Sequence, residues 1–547
     1  MLLILSVPAA VLADGAQGPR YGNEEALARY AAGRLLEERD DRNAALDEYF
    51  RALYLDPGSL EITRRISEVE ANLGDPARSL EFARRALQID PADPRTLWLE
   101  GTALLNLGRD TESLAPLQAA TSADSERVEY FRTLARAAER LDEYDLLVRC
   151  YRHVVWLDED DGEAWFQLAT AEARRGRFGA ADSALRFAVE LNPIRPGLFL
   201  LQGWISESLG RLADAREAYR EHLQIHPGDQ AARRRFVAVL AAERRFREAA
   251  REARILARAR PDDVEVRHVE AELLFEAGAA GEAMRALEGL ERDLPEDPEA
   301  LSVRVGLLAR HGRARLGVEQ ADRWLARHPG DLRAEMLAAR ALELGGRWDQ
   351  AAGRLRAAIG GAPDSLAPRV MLARTYESAG KLKDAELVWR ESAEKFPRLD
   401  ALLFDLALCR EKLGDLAGAE SAIRDVLARE PANATALNFL GYLFADHDRN
   451  LEEALDLIGK ALRLDPENGA YLDSLGWAYY RLGRLEEART QLERAIRIVG
   501  ADPVVHEHLG DVYNGLRLNQ LARDQYLRSL SIDQSNGRVK AKLSRTR

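Results

Sequence analysis

The chain has 547 residues, with 91 Asp and Glu against 78 Lys and Arg, and a formal net charge of −13. That balance excludes nonspecific nucleic-acid binding, because phosphate contacts need a basic face. Hydrophobic residues make up 46% and there are only two cysteines, so the chain has material for a core and none for a disulfide framework.

The sequence opens with MLLILSVPAAVLADG, an apolar run with Val11 and Ala13 at small-residue spacing. It reads as a secretory signal over 1–13, cleaved near Ala13. About a dozen apolar residues are too few to span a bilayer, so no transmembrane span is expected. No Lys or Arg precedes the run, which leaves an uncleaved anchor or a disordered leader as alternatives. No cysteine follows it, so lipid attachment is not expected. Residues 14–25 form an N-terminal linker.

From Ala26 onwards a fixed period takes over. Pro57, Pro91, Pro193, Pro227, Pro261, Pro295, Pro329, Pro363, Pro397 and Pro431 are separated by 34 residues or multiples of it, and one extra residue delays the next to Pro466. This gives fifteen repeats up to about Ser535. With proline at place 32, place 8 is small in most repeats, as at Gly33, Ala169, Gly203 and Gly510, and place 20 is usually alanine. Glycine recurs at place 15, where it accepts the left-handed conformation that ends a helix. Within YLDSLGWAYYRLGRLEEARTQLERAIRI (Tyr471–Ile498), Leu472, Leu475 and Tyr479 line one helix face and Leu485, Leu492, Ala495 and Ile496 another. Each repeat is therefore a helical hairpin that buries its apolar face only by stacking on its neighbours. Recurrent Gly and Pro break the heptads that a long coiled coil would need.

The extra residue lies in FADHDRNLEEAL, between Phe444 and Leu455, and should lengthen one turn without breaking the stack. Place 27 is large in four successive repeats, at His222, Leu256, Leu290 and Trp324. A change of curvature or a hinge is expected between 213 and 330, with local repacking as the alternative. The array is divided into an N-terminal arm over 26–330 and a C-terminal arm over 331–535. Residues 536–547, with Arg538, Lys540, Lys542, Arg545 and Arg547 and no acid, read as a basic capping helix or tail, with an anionic-surface contact as the alternative. Cys150 and Cys409 lie about eight repeats apart, too far to bond in an array of nearest-neighbour contacts.

The 34-residue period, the tryptophan at place 4 of EAWFQLATAEARRGRFGAADSALRFAVELNP, and the Leu-Gly, Tyr, Ala, Pro series resemble the tetratricopeptide repeat family over more than nine-tenths of the chain. The resemblance implies an all-α fold, a right-handed superhelical solenoid of about fifteen helix-turn-helix repeats. It also implies that places 2, 5, 9, 12 and 13 of the first helices line a concave binding groove. Those places supply Trp98, Phe166, Trp204, Phe404, Tyr442, Trp477 and Tyr480 as aromatic candidates, and Asn438, Asp473, Arg481 and Glu507 as polar ones. Each ring can equally cover a gap between helices. The Lys and Asn pattern by which some family members hold a carboxylate terminus is missing, and an acidic C-terminal groove would sooner accept a neutral or basic segment.

Chemistry is not signalled. HEHLGD (His506–Asp511) has Gly510 where a zinc-protease helix needs its second histidine, and no serine elbow, phosphate loop or Cys-x-x-Cys pair occurs. No cofactor is expected. The reading is a non-catalytic scaffold that binds proteins or peptide segments of the bacterial cell envelope in its groove. It is exported to the periplasm or outside, and cytoplasmic if the leader is not a signal. Rival readings are an accessory subunit of a polysaccharide synthesis, export or secretion machine, with Asp473 beside Trp477 compatible with glycan contact, and an enzyme with an unrecognised site.

Overall fold

The computed structural model describes residues 24–546; the expected signal, most of the linker and Arg547 lie outside the described residues. These residues form thirty-one helices, numbered α1 (Glu24–Glu38) to α31 (Gly537–Arg545) in chain order, with no strand among them. The fold is an all-α repeat solenoid. Fifteen hairpins account for thirty helices and α31 takes the place of a sixteenth first helix.

Regular capping sets the helix starts. In most repeats place 34 is Asp, Asn or Ser, and its side chain accepts the N–H three residues on, as Asp93 does from Thr96 (2.8 Å), Asp229 from Ala232 (3.0 Å) and Asn433 from Ala436 (3.0 Å). Each such bond satisfies one donor that the first turn leaves orphaned. Turn geometry is stricter still. Place 15 has φ between 51° and 82° in all fifteen repeats, and five of those residues are not glycine: Asp40, Asp142, Arg244, Asp448 and Arg517. The following N–H folds back five residues, as Arg109 does to the Leu104 carbonyl (2.9 Å), closing the helix end.

The small residue at place 8 meets the side chain at place 24 of its own hairpin. A Cβ on Gly203 would lie 2.6 Å from the Tyr219 ring, and one on Gly510 would lie 2.5 Å from the Tyr526 ring. Where place 8 is larger, place 24 shrinks: Ser67 goes with Ala83, Val237 with Ala253 and Val305 with Ala321. The two places thus share one volume, as close packing demands.

The extra residue behaves as expected. It extends the turn between α25 (Ala434–Asp446) and α26 (Leu451–Leu464), where Asp448 and Asn450 both take positive φ, and the two helices pack like the other hairpins. The large residues at place 27 are buried, and two are fastened to the next repeat's capping aspartate: His222 Nε2 to Asp229 (2.9 Å) and Trp324 Nε1 to Asp331 (2.7 Å). The chain forms two compact bodies, one ending at Ala283 and the other beginning at Met284, not at the 330/331 boundary drawn between the arms.

Within each body the first helices of successive repeats touch. In the first body α3 (Leu60–Asn72) meets α5 (Pro94–Asn106), which meets α7 (Val128–Arg140); in the second, α25 meets α27 (Gly469–Arg481), which meets α29 (Pro503–Gly515). That places these first helices side by side on one face of each body.

Candidate partner-binding face

The sequence candidates fall on this face in each of the two bodies. In the first body Trp98 lines a cavity of about 470 Å³ between α3, α5 and α7, together with Arg65, Asn72, Thr102, Asn106 and Tyr130. Its indole N–H is taken by Thr133 Oγ1 (2.9 Å) and its ring stacks on Tyr130. Phe166 is buried and covered by the Arg195 guanidinium, 3.2 Å from the ring centroid. Trp204 is half-buried, with Phe178 edge-on and Arg235 over its ring.

In the second body the candidates cluster on α23 (Asp400–Leu413), α25 and α27. Trp477 is the hub, although only 8% exposed. Tyr480 stacks on its ring at 5.0 Å and His508 at 4.1 Å, and its N–H donates to Asp446 Oδ1 (3.0 Å). Arg481 lies over the same ring, 5.5 Å from its centroid, while its guanidinium is held by Asp448 and by the Asp446 carbonyl (2.9 Å). Asp473 is buried and accepts the Nδ1–H of His508 (2.9 Å), which ties α27 to α29. Trp477, Asp473 and Arg481 therefore have internal partners, so the pairing of Asp473 with Trp477 does not offer a sugar-stacking platform.

Phe404, Asn438, Tyr442 and Tyr480 are half-buried and form the open part of the face, with Leu408 beside them at 41% exposure. Phe404 meets Phe439 edge-on at 6.0 Å. The Oδ1 of Asn438 is buried with no hydrogen-bond partner. Burial, then the charges of Asp446, Asp473 and Glu411, push the Tyr442 hydroxyl above its ordinary range against the opposing charge of Arg538.

Sequence reading left two groupings unseen. Glu411, Asp446 and His447 bring ligand atoms within 4.8 Å of one another, with His447 Nε2 on Glu411 at 3.2 Å. They come from places 12, 13 and 14 of neighbouring repeats, a juxtaposition visible only once the register between repeats is known. At the far end, the basic segment is a capping helix, α31, and it is not simply solvated. Arg538 forks onto Glu507 (2.8 and 3.0 Å), and Lys542 reaches both Glu507 (2.7 Å) and Asp511 (2.5 Å). Glu507 is 1% exposed; burial opposes its ionisation, but Lys542 and Arg538 outweigh that and hold its carboxyl below the usual range.

His506 and the two cysteines are occupied or muted. His506 has Gln525 on Nδ1 (2.7 Å) and the Gly500 carbonyl on Nε2 (3.2 Å). Cys150 and Cys409 are free and buried, and burial pushes their thiols up to about 12 and about 11, away from the reactive thiolate.

A tetratricopeptide repeat family model matches residues 166–230, 370–424, 404–469, 448–503 and 474–537. A TPR repeat-containing protein of Pseudomonas aeruginosa is 38% identical over 169 residues, which is 30% of this chain and 28% of that protein. The chain thus spans little more than a quarter of that relative's length. Among solved structures, Naa15/Naa10 bound to HypK-THB is 14% identical, with coverage of 95% and 96% and a TM-score of 0.38. The APC/C hetero-tetramer Cut9-Hcn1 is 15% identical, with coverage of 95% and 98% and a TM-score of 0.33.

Proposed function

We propose that this chain, which belongs to the tetratricopeptide repeat family, is a non-catalytic scaffold of the bacterial cell envelope that holds segments of partner proteins against its first-helix face. The observation that carries the reading is the open part of the face on α23, α25 and α27. There Phe404, Leu408, Tyr442 and Tyr480 offer partly exposed apolar surface beside the unsatisfied Asn438 carbonyl oxygen. Anchoring rings beside a few directed polar groups are what peptide recognition uses. The apolar run at 1–13 is what supports the envelope location. No helix among the described residues is long and apolar enough to cross a membrane.

The test is site-specific photo-crosslinking in the native host with the probe at Leu408, which is on the face and not engaged in the Trp477 stack. Cell fractionation accompanies it. Capture of a defined protein in the envelope fraction, absent when the probe is moved to an exposed second-helix position such as Arg315, is the expected result. Equal labelling from both positions would remove the face as the binding surface.

A further inference from the structure

The charges on the face in the second body are not balanced. Every Lys and Arg on α23, α25 and α27 is already matched: Arg410 by Glu386 (2.8 Å), Lys412 by Glu377 (3.3 Å) and Arg481 by Asp448. Asp405, Glu411, Asp446 and Asp473 on the same helices have no Lys or Arg within ion-pair distance; Glu411 and Asp473 have only a histidine, at 3.2 and 2.9 Å. Burial pushes the Asp405 carboxyl up, against the pull of Arg374 and Lys412. The Asn438 Oδ1 adds a buried acceptor with no donor. An unpaired acceptor such as the Asn438 Oδ1 carries a desolvation cost that a donor from outside would relieve.

The chain itself shows how such places are filled. Two repeats further on, Glu507 and Asp511 occupy places 5 and 9 of α29, and α31 lays Arg538 and Lys542 onto them. Glu411 and Asp446 have no Lys or Arg within ion-pair distance, and Arg538 acts on Asp446 only from further off.

We propose that the face of α23, α25 and α27 receives a partner segment that presents an arginine or lysine, its cation seated between Glu411 and Asp446 and its stem lying along Phe404, Leu408 and Tyr442. Charge complementarity commits the site to a basic segment, and the aliphatic stem of the same side chain suits the rings around it. This inference rests on the reading that the face binds protein, and it specifies the partner's chemistry.

The probe is a phage-displayed library of random dodecapeptides panned on the full chain and on the E411Q/D446N variant, with and without EDTA. The glutamine and asparagine keep hydrogen-bond acceptors for His447 and Trp477, and circular dichroism and thermal unfolding matching the parent verify that the fold survives. Selected peptides should be enriched in Arg or Lys, should bind the variant about tenfold or more weakly, and should weaken with salt. Enrichment of neutral or acidic peptides, unchanged binding to the variant, or loss of binding in EDTA would each overturn the inference. The Leu408 crosslink keeps the two readings apart: a captured partner held through a segment without Arg or Lys sinks only the basic-segment proposal. Failure of both experiments sinks both.

Discussion

Tyr219 carries three jobs at once. Its ring fills the space that Gly203 leaves open, its hydroxyl donates to Glu207 at 2.6 Å, and burial together with that bond pushes the hydroxyl well above its ordinary range. The same 12-residue link recurs as Tyr49 to Glu37 and Trp389 to Glu377. Small residues at place 8 were legible in the sequence, but their large partners at place 24 were not, because pairing them needs the crossing of two helices. Gly203→Ala would gain helix propensity, worth roughly 1 kcal/mol, yet its Cβ would press on a ring with no room to yield. Overpacking of about 1–3 kcal/mol should win, and α11 (Leu198–Ser208) should open more readily in native-state hydrogen exchange; unchanged protection would show that the hairpin relaxes. Arg304 is the opposite case, a guanidinium 1% exposed whose Nε and Nη1 lack hydrogen-bond partners. Burial drives its pKa down, so the charged form weakens the fold at neutral pH. Replacing even buried ion pairs by well-packed apolar chains is often neutral or stabilising, so Arg304→Met should raise the thermal midpoint; a lower midpoint would mean the charge has a compensating partner.

Among the elements, the turn between the two helices of a hairpin is the most uniform feature of the chain. Glycine announced it in the sequence at Gly74, Gly108 and several later positions, but the same left-handed geometry at Arg244 and Arg517, with φ of 59° and 61°, carried no sequence signal. The stack on either side imposes it, and a non-glycine residue there bears a cost of about 1–2 kcal/mol. Arg244→Gly and Arg517→Gly should each stabilise their own hairpin, by less than that cost because glycine also frees the unfolded chain. Their effects should add, since the substitutions lie in separate repeats. The check is denaturant unfolding followed by hydrogen exchange of α13 (Gln230–Ala242) and of α29. A loss of protection in either helix would argue that the arginine side chain does more for its turn than its backbone costs. Helix capping at place 34 went similarly unread, because Asp and Asn before a helix become caps only once the helix start is fixed by the repeat register.

Across the whole molecule, stability is nearest-neighbour stability, so an array is weakest where a neighbour is missing. The period, the hairpins and the number of repeats were all legible, since each recurs many times in one chain. Which groove residues stay available was not, because Trp477 and Asp473 acquire partners from α25 and α29 that no single repeat contains. The last repeat solves its end problem with charge, and this sets a pH dependence whose sign can be worked out. In the parent chain the folded carboxyl of Glu507 is held below its unfolded value, near 4.3. Its contribution is therefore present above that value and lost as pH falls through the folded one. In K542A/R538A the Asn536 amide, at 3.4 Å, is the donor left to Glu507, and burial should then dominate and raise its carboxyl instead. The ionised group then destabilises the end at neutral pH, and acidification through the raised value restores it. Hydrogen exchange of α29 and α31 should consequently show the variant frayed at neutral pH and recovering on mild acidification, while the parent holds until the pH drops below the ordinary carboxylate range. The difference should fade over the neighbouring hairpin and leave α23 untouched. Fraying that spreads to α23, or a variant that also weakens on mild acidification, would show that α31 holds the array by packing and not by neutralising Glu507.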